Sequence, residues 1–291
     1  MISEPALDRL SGMFRGPDVS GTRYELISIL GRGGMGVVYL ARDTVLDREV
    51  ALKIVERPSD AANEARILAR LEHPGIVPVH DFGELPDGRL FYAMKRVRGD
   101  RLDRWMASGR DLTARLGVFL RVCEAVAFAH AHGVVHRDLK PENVMVGEFG
   151  EVLVLDWGIA REWQRGDRGL AGEAIAGTTE YMAPEQARGD ADLDHRVDVY
   201  ALGVILAAIA ETVPLAAIAR KARSDDPAAR YQDVQELAAD VSRFLAGRAV
   251  EAHRERLVDR LARFGRRYRL PILLVLTYLV VRALLLWLAR V

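Results

Sequence analysis

The feature that most restricts this chain is the octet His136-Arg137-Asp138-Leu139-Lys140-Pro141-Glu142-Asn143, followed downstream by Asp156-Trp157-Gly158. It places a carboxylate, a lysine, an amide and a second carboxylate between apolar segments. Carboxylate and amide oxygens are what a hard divalent cation takes as ligands. A lysine beside a carboxylate suits a site where phosphate charge is neutralised and a hydroxyl is oriented. Asp138 is the candidate carboxylate for the attacking hydroxyl, Lys140 the supplementary charge, and Asn143 and Asp156 the candidate metal ligands.

Upstream, Gly31-Arg32-Gly33-Gly34-Met35-Gly36-Val37-Val38 is a glycine-rich turn between two strand-like runs. Glycines let the main chain approach a polyphosphate with its N–H groups pointing inward. A plain Gly-rich hairpin has the same pattern. A dinucleotide site would need a helix directly after the glycines, and here the strand-like Val37–Ala41 follows. Lys53 closes the otherwise apolar Val50-Ala51-Leu52-Lys53. A buried ammonium needs a partner, and Glu64 on the next helix can supply it, with phosphates as further ligands. The plainer alternative is a strand-edge lysine facing water.

The periodicity divides the chain in two. Tyr24–Leu30, Val37–Ala41, Val50–Val55, Val77–Phe82 and Leu90–Met94 read as strands, with one helix at Ala61–Leu71 that puts Ala65, Leu68 and Leu71 on one face. After Gly99 the pattern turns helical: Leu116, Leu120, Cys123, Ala127 and His130 recur at spacings of three and four. Short strands follow at Val144–Val146 and Val152–Leu155, then an irregular stretch to Pro184 and helices to about Ala246. The fold class is α+β: a flexible lead at 1–21, a β-rich lobe at 22–98, a helical lobe at 99–246, and a site in the cleft between the lobes.

With 41 basic and 41 acidic residues, nothing in the overall charge argues for nucleic acid as a partner. One cysteine, Cys123, excludes an internal disulfide framework and reads as a core residue. The first 21 residues lack a basic-then-apolar leader, and the expectation is that the N-terminal part works in the cytoplasm. At the other end, 270–289 carries a single charge, Arg282. A helix of that length spans about 30 Å, the thickness of a bilayer core. Arg254, Arg256, Arg260, Arg263, Arg266, Arg267 and Arg269 precede it. The expectation is a basic juxtamembrane segment at 247–269 and a single-pass helix, with the folded part on the cytoplasmic side of the membrane. The alternative is a helix docked on the protein or lying in the lipid interface. Self-association of the chain is a further expectation.

Taken together, GRGGMGVVY, VALK, HRDLKPEN and YMAPEQ resemble the protein-kinase family, and its bacterial serine/threonine members in particular, from about Tyr24 to Ala246. The resemblance implies a two-lobed kinase-like fold, ATP with Mg2+ (or Mn2+), and protein substrates with Ser/Thr acceptors, the acceptor class being suggested by Lys140. It implies that Gly31, Gly33 and Gly36 cover the phosphates and that Lys53 pairs with Glu64. Val38, Ala51 and Met145 would sandwich the adenine, though each would serve equally as core. Met94 would precede a hinge at Lys95–Val97, Thr178 would contact Asp138 and Lys140, Arg230 would pair with Glu185 of Ala183-Pro184-Glu185, and Asp198 would brace the catalytic loop.

Three departures carry expectations of their own. Trp157 stands where the family usually has Phe, and its larger ring should still pack under the helix bearing Glu64. Between Gly158 and Gly177 there is no Ser, Thr or Tyr, so ordering of that segment should not need phosphate on Thr179; Glu173 or Asp167 would give Arg137 a fixed carboxylate. The stretch after Gly203 is short, which removes a region that commonly docks protein substrates. Competing readings are a membrane-held pseudokinase or scaffold with little transfer, and a small-molecule kinase on a related fold.

Overall fold

The computed structural model describes residues 16–33, 36–55, 58–157, 161–162, 180–190, 193–253 and 269–288. The N-terminal sheet is antiparallel, with β1 (Tyr24–Gly33), β2 (Gly36–Asp43), β3 (Arg48–Val55), β4 (Val79–Glu84) and β5 (Leu90–Lys95) in the order β1-β2-β3-β5-β4. Side chains alternate across a strand, and β3 uses both faces. Val50, Leu52 and Ile54 pack with Tyr24, Phe91 and Leu85 on one side. Ala51 and Lys53 face the other way, opposite Met94 and Tyr92 of β5, with Val38 of β2 beside Lys53. The sheet thus has an apolar outer face and an inner face that carries a buried lysine.

Helix α1 (Pro58–Arg70) crosses the inner side. Ala65, Leu68 and the following Leu71 are buried on it, as the spacing predicts. The expected strand Val77–Phe82 is instead β4, starting at Val79. The reason lies in the other lobe: Val77 N–H donates to Val154 O, and Val154 N–H donates to Gly75 O at 2.8 Å. Residues 75–77 therefore pair with the C-terminal lobe and stitch the two lobes together.

That lobe begins with β6 (Gly99–Arg101) and α2 (Leu102–Ala107), followed by α3 (Leu112–Ala131), whose first turn is capped by the Asp111 carboxylate. Helix α3 is buried around much of its circumference, Cys123 included, because α5, α7 and the strands 134–135 and 152–154 surround it. Then come β7 (Val134–Val135), a 3-10 turn (Pro141–Asn143), β8 (Val144–Gly147) and β9 (Val152–Val154). In the stretch expected to be irregular, β10 (Arg161–Glu162) pairs with β7. Helices α4 (Pro184–Ala187), α5 (Arg196–Ile209), α6 (Val213–Ala222) and α7 (Val234–Leu245) complete the lobe. Gly203 lets α5 and α6 touch: a Cβ there would lie 2.7 Å from Ala222 Cβ.

The packed body continues past Ala246. Asp240 of α7, fully buried, accepts from Tyr231 Oη at 2.7 Å, Glu251 N at 2.7 Å and Ala252 N at 3.0 Å, and Val250 is buried. So 250–252 is pinned to the lobe rather than belonging to a separate basic segment. Helix α8 (Arg269–Leu288) follows, its side chains described at 273–279, 281, 282 and 287 and exposed at each. Among the described residues no helix is long and apolar enough to cross a membrane.

Candidate active site

The site is built around the inner face of β3. Lys53 Nζ donates to both oxygens of Glu64, at 3.1 and 3.0 Å, and to Asp156 Oδ1 at 2.7 Å. Lys53 and Glu64 are buried, whereas the Asp156 side chain is 42% exposed. Burial alone would lower the Lys53 pKa, but the two carboxylates reverse that and hold the ammonium above its ordinary value. For Asp156 burial again opposes charge, and the Lys53 cation outweighs it, so its carboxyl sits below the usual range. The result is one cation clamped between a helix of the small lobe and a carboxylate of the large one.

Asp138 sits on the loop after β7. Lys140 Nζ bonds its Oδ2 at 2.7 Å, and Asn143 Nδ2 bonds its carbonyl at 2.9 Å and Oδ2 at 3.1 Å. This turns the Asn143 amide oxygen away from Asp138. The loop is held from beneath by Asp198, fully buried at the start of α5, which accepts from His136 N at 2.8 Å, Arg137 N at 2.9 Å and His130 Nε2 at 2.7 Å. His136 links the loop to the 155–157 segment. Its Nδ1 accepts from Asp138 N–H, so Nε2 carries the proton and donates to Leu155 O at 3.0 Å. Leu155 N–H donates in turn to Asn143 O at 2.8 Å. Asp138, Asn143 and Asp156 therefore belong to one bonded unit.

Two residues of this unit, Arg137 at φ 70° and Asp156 at φ 59°, adopt the left-handed region although neither is glycine. Such strain concentrates at functional sites, where the surroundings over-determine it. Trp157 packs as expected for a large aromatic: it is fully buried in the cluster that holds Leu68 and Leu71, with its ring 4.5 Å from that of His136.

The glycine turn borders the same face. A Cβ at Gly36, at φ 145°, would lie 2.1 Å from Ile54 O, so only glycine fits there. A Cβ at Gly31 or Gly33 would meet nothing within 4 Å, which leaves open space beside the turn. Val38, Ala51 and Met94 share the Lys53 face of the sheet, Val97 lies in the link between lobes, and Met145 lies on β8. Thr178, Thr179, Gly158, Asp167 and Glu173 lie outside the described residues, and with them the expectations about phosphate-free ordering.

The sequence reading missed two members. Tyr92 hydrogen-bonds Glu64 and lies with its ring 5.6 Å from Lys53 Nζ; alternation from Met94 would have put it on the same face. His130 fits the three-and-four spacing of the apolar stripe of α3, yet it donates to Asp198. Glu185 and Arg230 do pair, at 2.6 and 2.7 Å, with Arg230 buried. Among the described residues no group of three or more His, Cys, Asp and Glu could hold a metal by itself. The Asn143 oxygen and the Asp156 carboxylate are the hard-cation donors that the site offers.

Comparison with known proteins gives the protein kinase domain family over residues 24–264. The chain is 33% identical to a serine/threonine-protein kinase PknD of Protochlamydia amoebophila over 78% of its length and 30% of the relative's. It is 36% identical to the serine/threonine-protein kinase PknB of Mycolicibacterium smegmatis over 81% and 45%, and 42% identical to the serine/threonine-protein kinase pkn3 of Myxococcus xanthus over 63% and 37%. The chain thus spans less than half the length of these relatives.

Proposed function

Given that this chain belongs to the protein kinase domain family, we propose that it transfers the γ-phosphoryl group of ATP to serine or threonine hydroxyls of protein substrates. The observation that carries the proposal is the clamp of Lys53 between Glu64 and Asp156, in one bonded unit with Asp138 and Asn143. Phosphoryl transfer needs positioning and positive charge more than covalent chemistry. Lys53 orients phosphate oxygens, Asp138 orients the acceptor hydroxyl and takes its proton, and Lys140 adds charge beside it. The open space next to Gly31 and Gly33 fits a polyphosphate. Asn143 and Asp156 would hold Mg2+, which when bound neutralises charge on the phosphates. Replacement of Asp138 by Asn tests the reading: transfer to a generic protein substrate should fall about 10²–10⁴-fold with Mg·ATP binding kept. Nucleotide binding without transfer by the wild type would favour the scaffold reading instead.

The acceptor surface of the large lobe is, in this reading, reduced. Helix α5 ends at Ile209 and α6 begins at Val213. The alignments with two relatives run over 298 and 326 positions, more than the 291 residues of this chain, so those relatives carry residues that this chain lacks.

We further propose that 270–289 holds the chain to the cytoplasmic face of a membrane. The support is an apolar run with one charge, a basic stretch ahead of it, and the exposure of Leu273, Leu274 and Tyr278 on α8. Flotation of the full chain with anionic liposomes should be abolished by deletion of 270–291. Retention of flotation without those residues would sink this part.

A further inference from the structure

Gln186 directly follows the Ala183-Pro184-Glu185 segment and is 6% exposed. Its side-chain amide donates from Nε2 to the carbonyl oxygen of Arg137 at 2.7 Å. Arg137 precedes Asp138 and holds the left-handed conformation that a non-glycine residue adopts only under constraint. The two polar groups of its main chain are engaged by side chains from two separate elements. Its N–H goes to Asp198 of α5 at 2.9 Å, and its carbonyl to Gln186 of α4. With both ends of the residue pinned, the peptide that carries Asp138 has one orientation.

Helix α4 is itself fixed on two sides. Glu185 is locked by the bidentate bond to Arg230. Ala183 is fully buried against Val135 and Val197, and Val135 is the residue before His136. Gln186 therefore adds a polar link between α4 and the loop bearing Asp138 to the apolar contact of Ala183 with Val135.

Resting on the kinase reading above, we propose that Gln186 is a positioning residue: by holding the Arg137 carbonyl it couples the seating of α4 to the orientation of Asp138. Loss of the link would let the Arg137 peptide relax and would misplace the Asp138 carboxylate, while the Lys53 clamp and the nucleotide side stay as they are.

The test uses the full chain with Gln186→Met, which keeps length and packing but has no donor, and Gln186→Glu, which donates only when protonated. In Gln186→Met, kcat should fall at least tenfold with the KM for Mg·ATP unchanged. The activity ratio of Gln186→Glu to Gln186→Met should rise as pH is lowered from 8 to 6, because the protonated carboxyl regains a donor for the Arg137 carbonyl. A purely packing role would not move that ratio. A kcat within twofold of wild type in Gln186→Met, or a ratio flat in pH, overturns the proposal. Hydrogen exchange across 134–140 reads the link without catalysis: faster exchange in Gln186→Met supports it, and unchanged exchange overturns it. If wild type moves no phosphate, the kinase reading falls, and the exchange measurement still decides the role of Gln186.

Discussion

Lys53 and Arg230 are both buried cations paired with carboxylates, one between the lobes and one at the base of the large lobe. Arg230 is enclosed by protein. Its guanidinium meets both oxygens of Glu185, the carbonyls of Ser224, Arg196 and Asp225, and lies over the Tyr200 ring at 5.0 Å. All five of its N–H donors are used inside the fold. Lys53 shares its charge with Asp156, whose side chain is 42% exposed toward the crevice. A closed pair can only serve the fold, since removing one partner strands the other in low dielectric. An open pair can exchange partners with a ligand. The same chemistry thus reads out as stability in one place and as activity in the other.

The largest way to test that contrast is Arg230→Met. It leaves Glu185 buried without its cation and should lower unfolding stability by about 3–5 kcal/mol, a drop in thermal midpoint on the order of 10 °C. Calorimetry checks it, and a shift below about 2 °C would break the comparison. In the same calorimeter Asp138→Asn should move the midpoint little, because that residue is half-buried and keeps bonds to Lys140 and Asn143; its effect belongs in the transfer assay. A midpoint loss rivalling that of Arg230→Met would show that the crevice, too, is chiefly a stabilising device.

The smallest effect concerns a tyrosine–carboxylate hydrogen bond on the far side of the small lobe. Tyr24 Oη donates to Asp81 at 2.8 Å. Burial and then this bond push its pKa up to about 12. The folded state therefore keeps a proton that the unfolded chain releases near pH 10, so stability falls as pH rises from about 10 to about 12. Tyr24→Phe should cost about 0.5–1.5 kcal/mol at neutral pH and flatten that alkaline decline in urea titrations. An alkaline limb identical to wild type would refute the assignment.

The crevice was legible in the sequence to different depths. Lys53 stood out because an ammonium in an apolar strand demands a partner, and Glu64 was the acidic residue on the next helix. Glu185 with Arg230, and Asp198 beneath the loop, were carried by family resemblance and found where expected. Tyr92, His130 and Gln186 were not foreseen, because periodicity tells which face a residue occupies but not which distant carbonyl or carboxylate it meets. The start of β4 was misjudged for the same reason. Val77 is as β-prone as Val79, and only the presence of Val154 across the lobe boundary takes it out of the sheet.

By itself the sequence determined the two-lobe order, the glycine turn, and the identities of the lysine, amide and carboxylates, since each rests on residue type at short range. The tertiary structure alone decided which groups close around them: the Lys53–Asp156 bond across 103 positions, the non-glycine left-handed turns at Arg137 and Asp156, and the pinning of 250–252 by Asp240. Those depend on satisfying buried donors and acceptors from elements far apart in the chain. That requirement is met in three dimensions and leaves no periodic trace in one.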